Sequence, residues 1–206
     1  MALPSTDPVE AVVFDLGGVL FENIQEFFLP DLARRFGRDP EQLLAFGYRH
    51  GKAWGLGQAS EVDYWRGILT DAGLSIGLIP DLQAETTAYV RPIQETWDLV
   101  RALPAVLRLG ILSNTTPEWV HRLRAVEDWT DRFDPVLLSC EIGLCKPDPA
   151  VYALLLRQLE LPGARVLFVD DREDNLAAAR AHGIRGHQFT GAPALRRHLI
   201  KLGAHP

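Results

Sequence analysis

Acidic, hydroxyl, amide and amino side chains follow short apolar segments at several points along the chain. They are Asp15, Ser113, Asn114, Lys146, Asp170 and Asp171. If the apolar segments are parallel strands, their carboxyl ends meet at one edge of a sheet, where open α/β sheets bind ligands. Carboxylates at close range repel one another unless a cation lies between them, and a cluster of oxygen atoms suits Mg²⁺. A lysine and a hydroxyl beside that ion would hold the remaining oxygens of a phosphate group.

Five short segments rich in β-branched or large apolar residues are predicted to be the strands that position these side chains. They span residues 11–15, 107–113, 135–139, 165–170 and 184–189. Their apolar residues are continuous rather than alternating, which is typical of parallel strands covered on both faces. Helical periodicity between the last four segments favours right-handed βαβ crossovers. The sequence therefore predicts an α/β fold with a doubly wound, mostly parallel, five-stranded (Rossmann-like) core.

Local signals predict where several of the helices begin and end. Thr116 and Asp148 each precede a proline, so each site combines an N-cap side chain with a proline at the first helical position. An alanine-rich segment stops at Gly183, a residue type that commonly follows the last helical turn. Helices are therefore expected to begin near residues 117 and 149, and another to end near residue 182.

The stretch between residues 20 and 91 does not follow this alternation of strands and helices. Four helical patterns occur in it, over residues 23–36, 41–50, 60–72 and 80–90. Glycine-containing segments separate the patterns, and none of the stretch has the character of a strand. We therefore predict a core domain formed by residues 1–20 and 92–206, with a small α-helical cap of residues 21–91 inserted after the first strand.

Composition and charge argue against several classes of function. The chain has 206 residues and a formal net charge of −6, with no basic tail, which argues against nucleic acid or an anionic membrane as a partner. Its apolar runs are too short to span a bilayer, and residues 1–10 lack the basic start of a secretory signal. Two cysteines, Cys140 and Cys145, are expected to be free thiols. The expectation is a cytoplasmic protein, monomeric or homodimeric.

The polar residues at the strand ends resemble the four motifs of the haloacid dehalogenase-like hydrolases. Asp15 matches the first motif, Ser113 the second, Lys146 the third and the pair Asp170-Asp171 the fourth, in order and in spacing. The neighbouring residues are most similar to the branch that contains α-D-glucose-1-phosphate phosphatase and the N-terminal phosphatase domain of soluble epoxide hydrolase. The helical insertion resembles the small cap of that family.

The resemblance implies a phosphatase acting on a small phosphorylated metabolite, with Mg²⁺ as cofactor. Asp15 would attack phosphorus and form an aspartyl-phosphate that water hydrolyses. The implied Mg²⁺ ligands are Asp15, the Gly17 carbonyl and Asp171, with Asp170 and Asn175 acting through water or hydrogen bonds. The implied phosphoryl contacts are Ser113, Asn114 and Lys146. In the insertion, Trp54 lies in a glycine-containing segment predicted to be a flexible loop, and we predict that it faces the substrate.

Gly17 departs from the pattern of the family. Its phosphatases usually carry a second aspartate at this position, which protonates the leaving oxygen and later activates water. A positioned acid/base group contributes about 10²–10⁴-fold to a rate. Its absence leaves three outcomes: another group or water transfers the proton, the leaving group departs easily, as from a sugar 1-phosphate, or the reaction releases halide. The sugar-1-phosphate branch resembles this chain in having glycine, which favours the second outcome.

Other functions remain open from the sequence. A 2-haloacid dehalogenase would use Asp15 to attack carbon, but the acidic pair at residues 170 and 171 would repel the substrate carboxylate unless a cation were present. A ligand-binding pseudoenzyme of the same fold is favoured by Gly17 alone. A phosphomutase is disfavoured because it would need the acid/base residue that Gly17 replaces.

Overall fold

Five parallel strands form the sheet of the computed structural model, which describes residues 8–127, 129 and 131–204. They are β1 (Ala11–Phe14), β2 (Arg108–Ser113), β3 (Val136–Leu138), β4 (Val166–Asp170) and β5 (Arg185–Gln188). Their order across the sheet is β3-β2-β1-β4-β5. The first strand therefore lies at the centre, and the chain winds outward from it in both directions. This arrangement confirms the predicted doubly wound α/β fold.

Strand register places the polar strand ends side by side. Phe14 pairs with Ile111 on β2 and with Val169 on β4. Asp15 therefore follows β1 at the level where Asp170 ends β4, and neighbouring strands lie only about 5 Å apart. The topological switch of the sheet falls at this central strand, which is where such folds bind ligands.

Ten α-helices are defined within the described residues. In chain order they are α1 (Ile24–Arg35), α2 (Pro40–Gly55), α3 (Glu61–Asp71), α4 (Ile79–Ala88), α5 (Gln94–Ala102), α6 (Pro117–Val126), α7 (Ser139–Ile142), α8 (Pro149–Leu159), α9 (Glu173–Ala181) and α10 (Ala192–Lys201). None of these helices combines the length and apolar character that crossing a bilayer requires.

The predicted helix signals are found in the structure. The Thr116 side chain accepts a hydrogen bond from the backbone N–H of Trp119 at 3.3 Å, and Asp148 accepts one from that of Ala150 at 2.8 Å. Gly183 follows α9 with a φ of +75°, a conformation that glycine adopts without strain. These side chains satisfy amide groups that have no partner within the first helical turn, so the helices begin and end where expected.

Apolar side chains cover both faces of the sheet. Val12 and Phe14 of β1 belong to a cluster on one face, and Ala11 and Val13 to a cluster on the other. All four are fully shielded from solvent. Because side chains alternate between the two faces of a strand, burial on both faces requires an unbroken apolar run, which is the pattern that the sequence displays.

Helices α1 to α4 form the insertion, with a hydrophobic cluster of their own. One prediction about it is wrong: residues 51–55 are not a loop, because α2 continues through Gly55. Trp54 is only 2% exposed, and its ring lies 4.5 Å from that of Tyr64 between centroids. Burial of this ring outweighs the cost of about 1 kcal/mol that Gly51 imposes inside a helix.

The chain enters and leaves the insertion through two segments that pair with each other. Phe21 and Pro92 form an antiparallel bridge. The backbone N–H of Glu22 donates to the Arg91 carbonyl at 3.0 Å. These contacts lie at the predicted border of core and cap, but the exact division stays a prediction, and residues 1–7 and 205–206 lie outside the described residues.

Candidate active site

A buried lysine lies between two of the predicted acidic residues. Lys146 Nζ is 2.8 Å from an oxygen of Asp15 and 2.7 Å from an oxygen of Asp170. All three side chains are buried, and Asp170 is fully shielded from solvent. Opposite charges attract strongly in a poorly hydrated interior, so the ammonium group holds both carboxylates in place. The structure thus brings together residues from the ends of β1 and β4 and from the loop that follows α7.

Hydrogen-bond donors occupy both oxygens of Asp170. Asn175 Nδ2 lies 3.0 Å from Oδ1 and 3.1 Å from Oδ2, and the backbone N–H of Arg172 donates to Oδ1 at 2.8 Å. Together with Lys146, these donors satisfy a carboxylate that water does not reach. Asp170 and Asn175 are thus hydrogen-bonded to each other, and their action on a bound Mg²⁺ through water or hydrogen bonds stays a prediction.

Asp171 approaches the loop that follows β1. A Cβ atom placed on Gly18 would lie 2.5 Å from Asp171 Oδ2, which is closer than real side chains come. Gly18 also has a φ of +76°, in the left-handed region. Both features require glycine at position 18, since any larger residue would push the Asp171 carboxylate away from the loop.

The three acidic residues form a cluster suited to a divalent cation. Oxygen atoms of Asp15, Asp170 and Asp171 lie within 4.8 Å of one another. When ionised, as a bound cation favours, three carboxylates beside the single ammonium of Lys146 carry an excess of two negative charges among these described groups. Hard oxygen ligands carrying such an excess match the preference of Mg²⁺, so the residues present fit the predicted cofactor.

The pKa values of the cluster reflect this crowding. The pKa of Asp15 is raised to about 7, chiefly by burial and also by repulsion from Asp170. Lys146 and the hydrogen bond from the Ser113 hydroxyl act in the opposite direction and lower it. Burial and the charge of Asp170 also raise the pKa of Asp171. A cation would reverse this trend, because it favours the ionised carboxylates.

Asn114 connects the end of β2 to the loop that carries Lys146. Its Nδ2 donates to the Lys146 carbonyl at 2.8 Å, and its Oδ1 accepts from the Lys146 backbone N–H at the same distance. Asn114 therefore fixes the backbone of Lys146, a positioning role that the sequence did not indicate. The predicted contact of Asn114 with a phosphoryl group stays a prediction.

A cleft of about 600 Å³ opens above these residues, between the sheet edge and the insertion. Asp15, Gly17, Ser113, Lys146 and Asp171 line it. A Cβ atom placed on Gly17 would meet no atom within 4 Å, so the space where a second aspartate would stand is open. The Gly17 carbonyl as a metal ligand stays a prediction.

Trp54 also lines the cleft, although not as an exposed loop residue. Its Nε1 donates to Glu118 Oε2 on α6 at 2.7 Å. The indole therefore joins the insertion to the core domain and presents an apolar surface to the cleft. Its contact with substrate stays a prediction.

Sequence reasoning missed most of the apolar residues that line the cleft. Phe21, Ile24, Val90, Trp119 and Leu123 belong to this set. No local signal distinguishes them, because an apolar residue that faces a ligand cavity has the same pattern as one that faces the core. Only the placement of the insertion over the sheet brings them together.

Fold and site together define a capped α/β enzyme with an acidic metal-binding cluster at the carboxyl edge of its sheet. The chain belongs to the haloacid dehalogenase-like hydrolases, whose family description matches residues 9–183. The resemblance inferred from the four motifs is thereby confirmed, as is the assignment of the chain as a hydrolase.

Similar proteins include enzymes that act on phosphorus and on carbon. A sesquiterpene phosphatase from Aspergillus oryzae is 27% identical over 198 residues, which cover 94% of this chain and 96% of the relative. A (S)-2-haloacid dehalogenase from Xanthobacter autotrophicus is 29% identical over 193 residues, covering 85% and 72%. The structure of a family enzyme from Bacteroides thetaiotaomicron, in complex with magnesium and inorganic phosphate, superposes with a TM-score of 0.66 at 20% identity over 87% of this chain and 93% of that one.

Proposed function

We propose that the protein is a Mg²⁺-dependent phosphatase that hydrolyses a small phosphorylated metabolite. The observation that carries the proposal is the acidic cluster of Asp15, Asp170 and Asp171 beside Lys146, with its excess of two negative charges. Such a site attracts a cation, and the cation and the lysine together attract a phosphate group. A relative whose match covers 94% of this chain is named a phosphatase, which supports the same conclusion.

In the proposed reaction, an oxygen of Asp15 attacks phosphorus while the bond to the leaving oxygen breaks. The aspartyl-phosphate then reacts with water, which releases inorganic phosphate and restores the carboxylate. Lys146 and Ser113 bind the phosphoryl oxygens, and Asn114 and Asp170 position Lys146. Bound Mg²⁺, held by Asp15, Asp171 and the Gly17 carbonyl, would supply positive charge that offsets the negative charge of the phosphate.

Proton transfer to the leaving oxygen has no dedicated group at position 17. The open space beside Gly17 can admit water, which is a weaker acid than a positioned carboxyl group. We therefore expect a preference for esters whose leaving oxygen departs easily, of which a sugar 1-phosphate is one. With Mg²⁺ present, glucose 1-phosphate should turn over faster than glucose 6-phosphate, since the two differ in the leaving oxygen. A strong preference for the 6-phosphate would refute the proposed leaving-group requirement.

The nucleophile is tested by Asp15→Asn on a panel of phosphorylated metabolites, with Mg²⁺ and with EDTA. We expect the substitution and the chelator each to abolish phosphate release while circular dichroism stays that of the wild type. Asp81→Asn, an exposed carboxylate on α4, is the matched control and should retain activity. Wild-type rates in Asp15→Asn would refute the assignment of Asp15.

Haloacid dehalogenation is the second candidate, favoured by the similarity to the Xanthobacter autotrophicus enzyme. Halide release needs no proton on the leaving group, which agrees with Gly17. The discriminating measurement is halide release from 2-chloropropionate in EDTA. Activity that persists there would support dehalogenation, and its absence alongside Mg²⁺-dependent phosphate release would exclude it. Trapping of BeF₃⁻ on Asp15 with no turnover of any substrate would instead favour a ligand-binding pseudoenzyme.

A further inference from the structure

We infer that the organic part of the substrate is apolar, a proposal that rests on the proposed phosphatase function and concerns the same cleft. Beyond the acidic cluster, apolar side chains from both the insertion and the core domain line the cleft. They are Phe21, Ile24, Trp54, Val90, Trp119 and Leu123. Four of the six are buried and the other two half-buried. An organic group attached to a phosphate held at Lys146 extends towards these residues.

Three buried polar groups along this wall, the Trp54 indole N–H and the hydroxyls of Thr116 and Ser139, are already engaged within the protein. Trp54 Nε1 donates to Glu118, and the Thr116 hydroxyl accepts from the backbone N–H of Trp119. The Ser139 hydroxyl donates to the Gly55 carbonyl and accepts from the Thr115 backbone N–H at 3.0 Å. A ligand hydroxyl placed here would compete with these bonds and would lose its own bonds to water.

Apart from Asp15, Lys146 and Asp171, the charged side chains that line the cleft lie at its exposed rim. Glu22, Lys52, Arg91 and Arg172 are all exposed. Because water surrounds such groups, they provide little selectivity for hydroxyls of a ligand seated deeper in the cleft. The cleft therefore binds an apolar group more favourably than a polyol, since burying apolar surface is favourable and burying unpaired hydroxyls is not.

The cleft volume is sufficient for such a group. About 600 Å³ lies within the range of cavities that hold drug-sized ligands, which usually combine apolar walls with a few polar anchors. Lys146, Ser113 and the acidic cluster form the polar end. The six apolar side chains line the cleft beyond that end, together with the polar side chains of Asn23, Gln25 and Tyr48. The predicted substrate class is the phosphate monoester of an apolar alcohol, preferably one whose leaving oxygen departs easily. A sugar 1-phosphate meets the leaving-group requirement but lacks the apolar group.

The test uses phosphate esters of primary alcohols, which keep the leaving oxygen nearly constant while the organic group changes. Ethyl, butyl, hexyl and octyl phosphate are compared with glycerol 3-phosphate and glucose 6-phosphate, all with Mg²⁺. We expect kcat/KM to rise with chain length, by up to about fourfold per methylene, and to exceed that of both polyol esters. Equal values along the series, or a preference for the polyols, would overturn the inference and leave the phosphatase function intact.

Binding provides a readout that does not depend on turnover. Calorimetry with non-hydrolysable ethyl, butyl, hexyl and octyl phosphonates should show a dissociation constant that falls as the chain lengthens. If no ester is hydrolysed but this trend appears, the inference stands and the phosphatase function fails. If the phosphonates bind with equal affinity, the inference fails.

A near-isosteric variant tests the apolar wall. Val90→Thr exchanges a methyl group for a hydroxyl in the cleft. We expect the kcat/KM for octyl phosphate, divided by that for ethyl phosphate, to fall at least threefold. Val136→Thr is the matched control, because Val136 is also half-buried but lies on β3, away from the cleft. Equal ratios in the two variants, with both folded by circular dichroism, would overturn the assignment of Val90 to the substrate wall.

Discussion

Lys146 is buried because two carboxylates share its charge. An ammonium group isolated from water is costly, and the contacts with Asp15 and Asp170 offset that cost. The same contacts leave Asp171 without a cationic partner in the cluster among the described residues. The charges of the cluster therefore suit a bound cation, and without one the carboxylates repel one another.

The metal-free protein should be stabilised by Asp15→Asn at neutral pH, because burial and repulsion from Asp170 raise the pKa of Asp15 by more than the attraction of Lys146 lowers it. The pKa of Asp15, about 7 in the folded chain, lies above the ordinary value of 3.8 because of burial. Between these pH values, Asp15 binds more protons in the folded state than in the unfolded state. Its ionisation therefore lowers the free energy of unfolding as the pH rises from 4 to 7. In EDTA, the variant should melt several degrees above the wild type at pH 8 and show little difference at pH 4. A lower melting temperature at pH 8 would contradict this account.

Mg²⁺ should stabilise the wild type and have less effect on a variant that lacks one of its ligands. A ligand present at a hundred times its dissociation constant stabilises the folded state by about 2.7 kcal/mol. Melting temperatures measured with and without 10 mM Mg²⁺ should differ clearly for the wild type and much less for Asp171→Asn. Asp98→Asn, on α5, is the matched control and should respond as the wild type does.

At the scale of elements, the insertion depends on close contacts between its helices. A Cβ atom placed on Gly67 of α3 would lie 2.4 Å from the His50 ring on α2. Gly51, also on α2, would meet only atoms 3.7 and 3.9 Å away, which is ordinary van der Waals contact. The space available for a side chain therefore differs between these two helical glycines.

These two glycines predict opposite effects of the same substitution. Gly51→Ala should stabilise the protein by about 1 kcal/mol, because alanine favours the helix and the space is available. Gly67→Ala should destabilise it by about 1–3 kcal/mol, because the His50 ring must move. Chemical denaturation of both variants measures the difference, and equal effects would contradict the distinction.

At the scale of the whole molecule, polar contacts join the insertion to the core domain. The Arg122 guanidinium on α6 makes two hydrogen bonds of 2.8 Å to the Glu61 carboxylate on α3. Gln83 of the insertion donates to the same carboxylate at 3.0 Å, and Glu61 is only 3% exposed. With the Trp54–Glu118 hydrogen bond, this ion pair keeps the insertion against α6 and fixes the apolar side of the cleft.

Removing one partner of this ion pair should be costly. Arg122→Met leaves the buried Glu61 carboxylate uncompensated, which should lower the free energy of unfolding by about 3 kcal/mol. Arg124→Met on the same helix removes an exposed guanidinium that lies 5.0 Å from the Trp129 ring, and its cost should stay below about 1 kcal/mol. Urea denaturation compares the two, and a similar loss in both would show that the ion pair has no special role.

The sequence alone determined the sheet, several helix boundaries and the residues at the strand ends. Continuous apolar runs, capping residues and motif spacing act locally, so they can be recognised without the fold. The confirmed family membership followed from the same residues. The failure at Trp54 has a tertiary cause, since the glycines indicated a loop where packing of the ring against Tyr64 of another helix sustained the helix.

Tertiary structure decided what distant segments do to one another. The engagement of Asn114 with the Lys146 backbone, the approach of Asp171 to Gly18 and the apolar wall of the cleft each join parts of the chain far apart in sequence. Electrostatic and packing energies depend on distance in space, which residue types and spacing along the chain do not specify. The chemistry at the strand ends was therefore predictable, whereas the surroundings that select a substrate were not.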